Sequence, residues 1–424
     1  VQALESEWCA HQCLGRRKIQ RSPAPDLYLI LSIGHVLGAV ADKAAIHMAP
    51  SPVHKRTIIQ IKSARRVPMS LVDHLKLTVP LIQAPMAGVS TPSLAAAVSE
   101  AGGLGSIDIG ATDAAGARAM IQESRGRTKR AFNVNLFVHG RARADPEREA
   151  SWLEWLTPQF VEFGAEPPAS LRTIYKSFAE DPDMLSAILE LAPPVVSFHF
   201  GLPSADTLSA LRGRGIYLMA TATSLDEARA IRSAGIDAIV AQGIEAGGHR
   251  GVFDPAAPDD ALSTLALTRL LVRELGLPVI AAGGIMDGAG IAAALDLGAV
   301  AAQLGTAFIA CPESAADDAY RAALRGPGAY HTILTSLISG RPARALANRF
   351  TALADELGGR VPPDYPIAYD AGKALHTAAK AKCEHGFGAQ WAGQGAPLTR
   401  AMPAARLVQT LRDELQRCRS NFAA

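Results

Sequence analysis

A histidine set among glycines is the first residue with chemistry to offer. In Glu245-Ala246-Gly247-Gly248-His249-Arg250-Gly251 the glycines free the backbone to turn, so His249 can project into a site. Imidazole is the side chain best suited to proton transfer near neutral pH. The plainer alternative is a surface-loop histidine. His199, in Ser197-Phe198-His199-Phe200-Gly201, fits a functional role and a hydrogen-bonded core group equally well. Asn135, in Phe132-Asn133-Val134-Asn135-Leu136, can hydrogen-bond the edge of a ligand ring or cap the next turn. Two further runs, Ala281-Ala282-Gly283-Gly284 and Gln303-Leu304-Gly305-Thr306, bring backbone N–H groups close to whatever lies above them. One such loop reads as readily as a tight turn, whereas the pair favours a bound phosphate. Tyr365, Tyr369 and Lys373 recur every fourth residue, so a helix would set two phenols and an ammonium on one face. That face would cradle a small anion, although spacing alone favours an amphipathic helix with a solvated lysine.

These residues need a scaffold that brings distant loops together. From residue 79, short apolar runs alternate with Ala-rich helical stretches. Candidate strands are 79–84, 104–106, 131–136, 195–199, 216–221, 238–241, 279–282 and 301–304. Helices are expected at 93–101, 225–234, 262–275 and 288–297. Near-continuous apolar strands mean burial on both faces and hence a parallel sheet. Eight of them with helices between predict an α/β fold, a (β/α)8 TIM barrel, whose chemistry sits at the carboxyl ends of the strands. The motifs above fall there. The expected organisation is a barrel over 69–310 with a helical excursion at 141–194 carrying Trp152, Trp155 and Tyr175. A smaller, mainly helical capping domain over 311–398 follows, where the strand pattern stops. Residues 399–424 form a C-terminal helix returning to the barrel, amphipathic over 399–418.

Residues 1–68 read differently. Their ten Lys/Arg and four Asp/Glu give 10 − 4 = +6, against 32 − 36 = −4 for the remainder. The chain begins with Val, and Met69 stands just ahead of the first strand. The segment is therefore expected to be upstream of the true start, weakly ordered or dispensable. Basic residues before the apolar stretch 27–40 suggest an export signal, but their flank is long and no small-residue cleavage site follows. The five cysteines are too scattered for a disulfide framework. Cys9, His11 and Cys13 lack a second ligand pair at finger spacing, so no metal is expected. A net charge of +2 gives no reason to invoke nucleic acid or an anionic membrane, and no apolar run is long enough to span a bilayer. A cytoplasmic location is the default.

Taken together, these motifs resemble the nitronate monooxygenases, formerly 2-nitropropane dioxygenases. The likeness covers roughly 70–400 and starts at Pro80-Leu81-Ile82-Gln83-Ala84-Pro85-Met86-Ala87-Gly88. The Ala-Gly-Gly-His loop is shared with FMN-dependent enoyl reductases and NADH:quinone reductases. The Ser-Phe-His-Phe-Gly run and the Tyr365, Tyr369, Lys373 set look like class I nitronate monooxygenases in particular. Residues 1–68 have no counterpart in the family.

The resemblance implies FMN in the barrel mouth. Met86 would lie against the flavin through its backbone. Asn135, Gln242 and Gly247 would contact the ring or ribityl chain, while Gly284, Gln303, Leu304, Gly305 and Thr306 would hold the phosphate. His249 would be the general base. His199, Tyr365, Tyr369, Lys373 and Tyr175 would line the substrate pocket. The implied reaction joins an alkyl nitronate, propionate 3-nitronate best of all, with O2 to give a carbonyl compound and nitrite through a flavin semiquinone. The enzyme would be a monomer or homodimer. Three other readings remain: an NAD(P)H-dependent FMN reductase of quinones or enoyl thioesters, a barrel resembling IMP dehydrogenase, and a flavin-binding barrel without turnover. The second needs a nucleophilic cysteine in a Gly-rich loop, which Cys311 lacks.

Overall fold

Strand formation follows the apolar runs closely. The computed structural model describes residues 71–422; the expectations for residues 1–68, including export and the Cys9, His11, Cys13 group, lie outside them. Eight strands form one sheet: β1 (Leu81–Gln83), β2 (Gly105–Asp108), β3 (Phe132–Phe137), β4 (Val195–His199), β5 (Tyr217–Ala222), β6 (Ala238–Gln242), β7 (Val279–Ala282) and β8 (Ala301–Leu304). Their order is β1-β8-β7-β6-β5-β4-β3-β2, every pair parallel, and a parallel bridge from Ile82 to Leu104 closes the ring. This is the expected TIM barrel.

Local chemistry sets where the helices begin. Thr91, Asp113, Ser204, Ser224, Ser263 and Asp287 each accept a backbone N–H of the first helical turn. Each cap satisfies a donor that the helix leaves orphaned, worth about 1 kcal/mol. Gly105 lets the helix Pro92–Glu100 close on β2, since a Cβ there would lie 1.9 Å from Ala95 O.

Apolar side chains fill both sides of the ring. Ile82, Leu104, Val195, Met219, Val240 and Ile280 pack together with Leu71 and Leu77. Outside, the C-terminal helix Ala404–Phe422 buries Leu407, Val408 and Leu411 against Ile291 and Leu94. Full burial of such side chains contributes on the order of 1.5–3 kcal/mol each. The helix starts after Pro403 rather than at 399.

The structure departs from expectation after residue 310. Strands Thr332–Thr335 and Ala343–Leu346 form an antiparallel sheet, with Gly248–His249 as its third strand. Segments of four residues and two residues are too short to leave a period in the sequence. Of the stretch 141–194, the helix Pro182–Leu191 packs in the barrel core through Met184 and Ile188. The helix Pro146–Glu162 instead buries Trp152, Leu156 and Phe160 with Leu337, Phe350, Leu375 and Phe387. The described residues make one compact unit.

Candidate functional site

The carboxyl ends of the strands open into a cavity of about 310 Å³, near the lower end of the roughly 300–1,000 Å³ typical of small-ligand sites. Met86 follows β1, Asp108 ends β2, Asn135 lies on β3, His199 ends β4 and Gln242 ends β6; all line the cavity. So do Gly284 after β7, and Gln303, Gly305 and Thr306 at β8. Tyr175 comes from the excursion, and Tyr365, Tyr369, Lys373 and Trp391 come from beyond residue 310.

A chain of buried side-chain hydrogen bonds crosses the strands beneath. Gln83 Oε1 accepts from Ser106 N at 2.8 Å, and Asn133 Nδ2 donates to Ser106 Oγ and Ser197 Oγ. Ser197 Oγ donates to Asn135 Oδ1 at 2.8 Å, which turns the Asn135 amide toward Asp108, whose Oδ2 it reaches at 2.7 Å. Polar groups linked this way fix one another's orientation.

The two histidines meet at one carbonyl. His199 Nε2 lies 3.2 Å from His249 O, to which Gln242 Nε2 also donates at 3.0 Å. His199 Nδ1 lies 3.1 Å from Thr221 Oγ1. A carbonyl only accepts, so His199 carries its proton on Nε2 and accepts from Thr221 at Nδ1. His249 Nε2 lies 2.9 Å from Ser339 Oγ, whose own hydroxyl donates to Arg341 O at 3.2 Å. His249 therefore donates from Nε2 and leaves the Nδ1 lone pair open. Burial pushes His249 down to about 3, with His199 and Arg341 adding to the effect. Burial likewise pushes His199 to about 4. Both rings are neutral at neutral pH.

Aromatic rings enclose His249: Phe200, Tyr365, Tyr369 and Trp391 have centroids 5.1–6.2 Å away. Lys373 Nζ stands 5.2 Å from the Tyr369 centroid and 5.6 Å from that of Tyr175, within cation–π range. It has no carboxylate partner among the described residues. Burial raises the phenols of Tyr175 (to about 12), Tyr365 and Tyr369, so all three keep their protons. Tyr365 Oη is buried without a hydrogen-bond partner among the described residues. Tyr369 and Lys373 share the helix Ile367–Lys380, while Tyr365 stands two residues ahead of it, before Pro366. The expected common face is thus completed by the chain entering the helix.

The glycine loops suit a phosphate. Gly283 and Gly284 adopt positive φ. A Cβ on Gly247 would fall 2.4 Å from Gly393 N, and one on Gly395 would fall 2.9 Å from Gly284 O. The backbone N–H groups of Gly284, Gly305 and Thr306 form no hydrogen bond among the described residues. Free donors on a wall without side chains match an anionic group, so the residues present fit a phosphate-bearing cofactor. Among the described residues no cluster of three potential metal ligands occurs, and no helix is long and apolar enough to cross a membrane.

Comparison with known proteins gives the same direction. The family model described as nitronate monooxygenase matches residues 69–414. The chain belongs to the nitronate monooxygenase family. Nitronate monooxygenase of Paraburkholderia phytofirmans is 61% identical over 347 residues, covering 82% of this chain and 95% of that protein. That of Pseudomonas aeruginosa is 59% identical over 337 residues, covering 80% and 96%. Among solved structures, nitroalkane oxidase from Streptomyces ansochromogenes superposes with a TM-score of 0.75 at 40% identity, covering 82% of this chain and 98% of that one. FabK from Thermotoga maritima gives 0.64 at 29%, covering 83% and 97%.

Within this member of the nitronate monooxygenase family, one of the residues expected at the phosphate does not line the cavity with its side chain. The Leu304 side chain is buried in the core with Leu81 and Phe308, pointing away from the cavity, because alternate residues of a strand face opposite sides. Several functional positions leave little trace in the sequence. Asp108 ends β2, two residues beyond the apolar run 104–106. Ser339 and Trp391 carry no local pattern. Arg250, 1% exposed, grips Asp259 through two bonds of 2.8 and 2.9 Å and donates to Gln242 O at 2.8 Å. Arg341 stacks its guanidinium 4.2 Å from the Phe200 centroid and donates to Val252 O. The Gly-His-Arg-Gly run displays Arg250, but only its fold partner Asp259 reveals the clamp.

Proposed function

We propose that the chain is an FMN-dependent nitronate monooxygenase. It oxidises alkyl nitronates, propionate 3-nitronate foremost, with O2 to a carbonyl compound and nitrite. One observation carries the reading: an ammonium, three neutral phenols and a neutral histidine converge over a glycine-walled pocket. Met86, Asn135, Gln242 and Gly247 would hold the flavin ring and ribityl chain, and Gly284, Gln303, Gly305 and Thr306 would hold the phosphate. When bound, FMN supplies the redox chemistry that links the nitronate to O2. The enzyme acts in the cytoplasm as a monomer or homodimer, on small molecules.

The chain's own residues bind and orient. A nitronate bears its charge on the nitro oxygens. Tyr365 Oη, buried and unpartnered, and the Tyr369 hydroxyl donate to such oxygens, since both phenols keep their protons. Lys373 attracts the carboxylate tail of a propionate-type substrate. The ring cage of Phe200, Tyr365 and Trp391 excludes bulk water, which strengthens these contacts. With a neutral nitroalkane, the open Nδ1 of His249 takes the α-proton. An imidazole held near 3 accepts a proton weakly, so preformed nitronates are the faster substrates.

Nitrite release from two nitronates tests the reading. Lys373→Met should raise KM for propionate 3-nitronate about tenfold, the effect of roughly 1.4 kcal/mol of lost attraction, and should change ethyl nitronate far less. Equal losses on both would remove Lys373 from carboxylate binding, and no nitrite from either with wild-type protein would reject the activity.

A further inference from the structure

Among the described residues lining the cavity, Lys373 is the one ammonium and Asp108 the one carboxyl. Asp108 is buried, 7% exposed, and no cation bridges to it among the described residues. Its Oδ1 accepts from Gly110 N at 3.1 Å, and its Oδ2 accepts from Asn135 Nδ2 at 2.7 Å. Two neutral donors compensate an ionised carboxylate poorly when water is excluded. We propose that Asp108 is a specificity-determining residue: its ionisation decides whether the substrate end of the cavity, around Lys373 and the phenols, is net positive, and so whether an anionic substrate binds. This rests on the reading that the cavity takes an anion.

With the proton on Asp108, Lys373 gives the substrate end of the cavity one positive charge, and the acid can donate to a substrate oxygen. With the proton off, the two charges cancel and a carboxylate faces the anion. The groups around Asp108 come from several elements, and Arg341, which acts on Tyr365 and both histidines without lining the cavity, stays cationic near neutrality because burial lowers it only to about 10. Asn135 stands on β3, Tyr175 on the excursion and Tyr365 ahead of the helix Ile367–Lys380, and both phenols feel its charge. His199, His249 and Tyr369 share the cavity. Burial places the histidines at about 4 and 3 and raises the phenols, so none of these changes charge near neutrality. Burial brings Asp108 itself up to about 7, against the opposing pull of Asn135 and Gly110.

The experiment uses the flavin-loaded protein, propionate 3-nitronate prepared as its anion, and propionate as an unreactive probe read by calorimetry. In the wild type, KM for the nitronate and Kd for propionate should rise on the order of tenfold from pH 6 to pH 8.5. Asp108→Asn should make both flat across that range, and Asp108→Glu should keep the rise with a displaced midpoint. An unchanged rise in Asp108→Asn overturns the proposal. Asn at this position can accept from only one of the two donors, so its NH2 would face either Asn135 Nδ2 or Gly110 N. Should that variant not fold, an unmoved midpoint in Asp108→Glu overturns the proposal and a displaced one supports it. If wild-type protein binds propionate at neither pH, the anion reading itself fails and takes this inference with it. Propionate binding with an unaltered pH profile in both variants overturns the Asp108 role alone.

Discussion

His249 owes its chemistry to what surrounds it. Ser339 fixes the tautomer, and burial keeps the ring neutral, so Nδ1 can accept a proton. His249→Ala should abolish nitroalkane oxidation and spare preformed nitronate, measured as nitrite from each; equal loss on both would make His249 a binding group. Ser339→Ala should slow nitroalkane turnover about tenfold while leaving nitronate turnover within a few-fold, because the tautomer is no longer enforced. The same burial has a stability consequence. His199 and His249 bind protons less readily folded than unfolded. Their contribution is therefore complete above about pH 6.5 and is lost as pH falls toward their folded values. Each tenfold loss of proton affinity on folding is worth about 1.4 kcal/mol. Between pH 7 and pH 4 the histidines should lower stability, partly offset by Asp108, which binds its proton more readily folded than unfolded, and a denaturant midpoint that rises steadily as pH falls through that window would contradict the burial argument. His249 is legible in the sequence because glycines frame it. Asp108 is not, because an apolar pattern marks where a strand is buried and says little about where its last polar residue lies.

Pairing of Gly248–His249 with Ala343–Leu346 ties the β6 loop to the chain beyond residue 310. The Arg250–Asp259 pair clamps the same loop from below, and Gln242 joins it to β6. Arg250 is buried but Asp259 is exposed, so solvent screens the pair and its loss costs less than the roughly 3–5 kcal/mol of a fully buried one. Asp259→Ala should lower Tm modestly and slow turnover, because Arg250 then holds the loop less firmly. A variant as stable as wild type would show that solvent already satisfies Arg250. At this scale the sequence displays all eight barrel strands and the helices after β1, β5, β6 and β7. The strands Thr332–Thr335 and Ala343–Leu346 stay hidden: four residues give two alternations, and Arg344, pointing inward to Ile244 O, looks like a surface residue until its partner is known.

Barrel and upper segments act as one body in which the strands' ends supply the glycine wall and the later chain supplies the aromatic roof. The barrel is legible because eight doubly buried strands leave a repeated mark, whereas the roof depends on contacts between residues roughly 200 positions apart, such as Tyr175 with Tyr369. The family match starts at residue 69, and a chain beginning at Met69 is expected to bind FMN and turn over nitronate as the full chain does; loss of flavin on truncation would give residues 1–68 a role. The most direct measurement mixes the flavin-loaded protein with propionate 3-nitronate without oxygen and follows the visible spectrum. A nitronate monooxygenase should show a rapid flavin change, nitrite once air is admitted, and little response to NADH. No change with nitronate, together with bleaching by NADH, would contradict the proposed function and assign the cavity to a nicotinamide-dependent reductase.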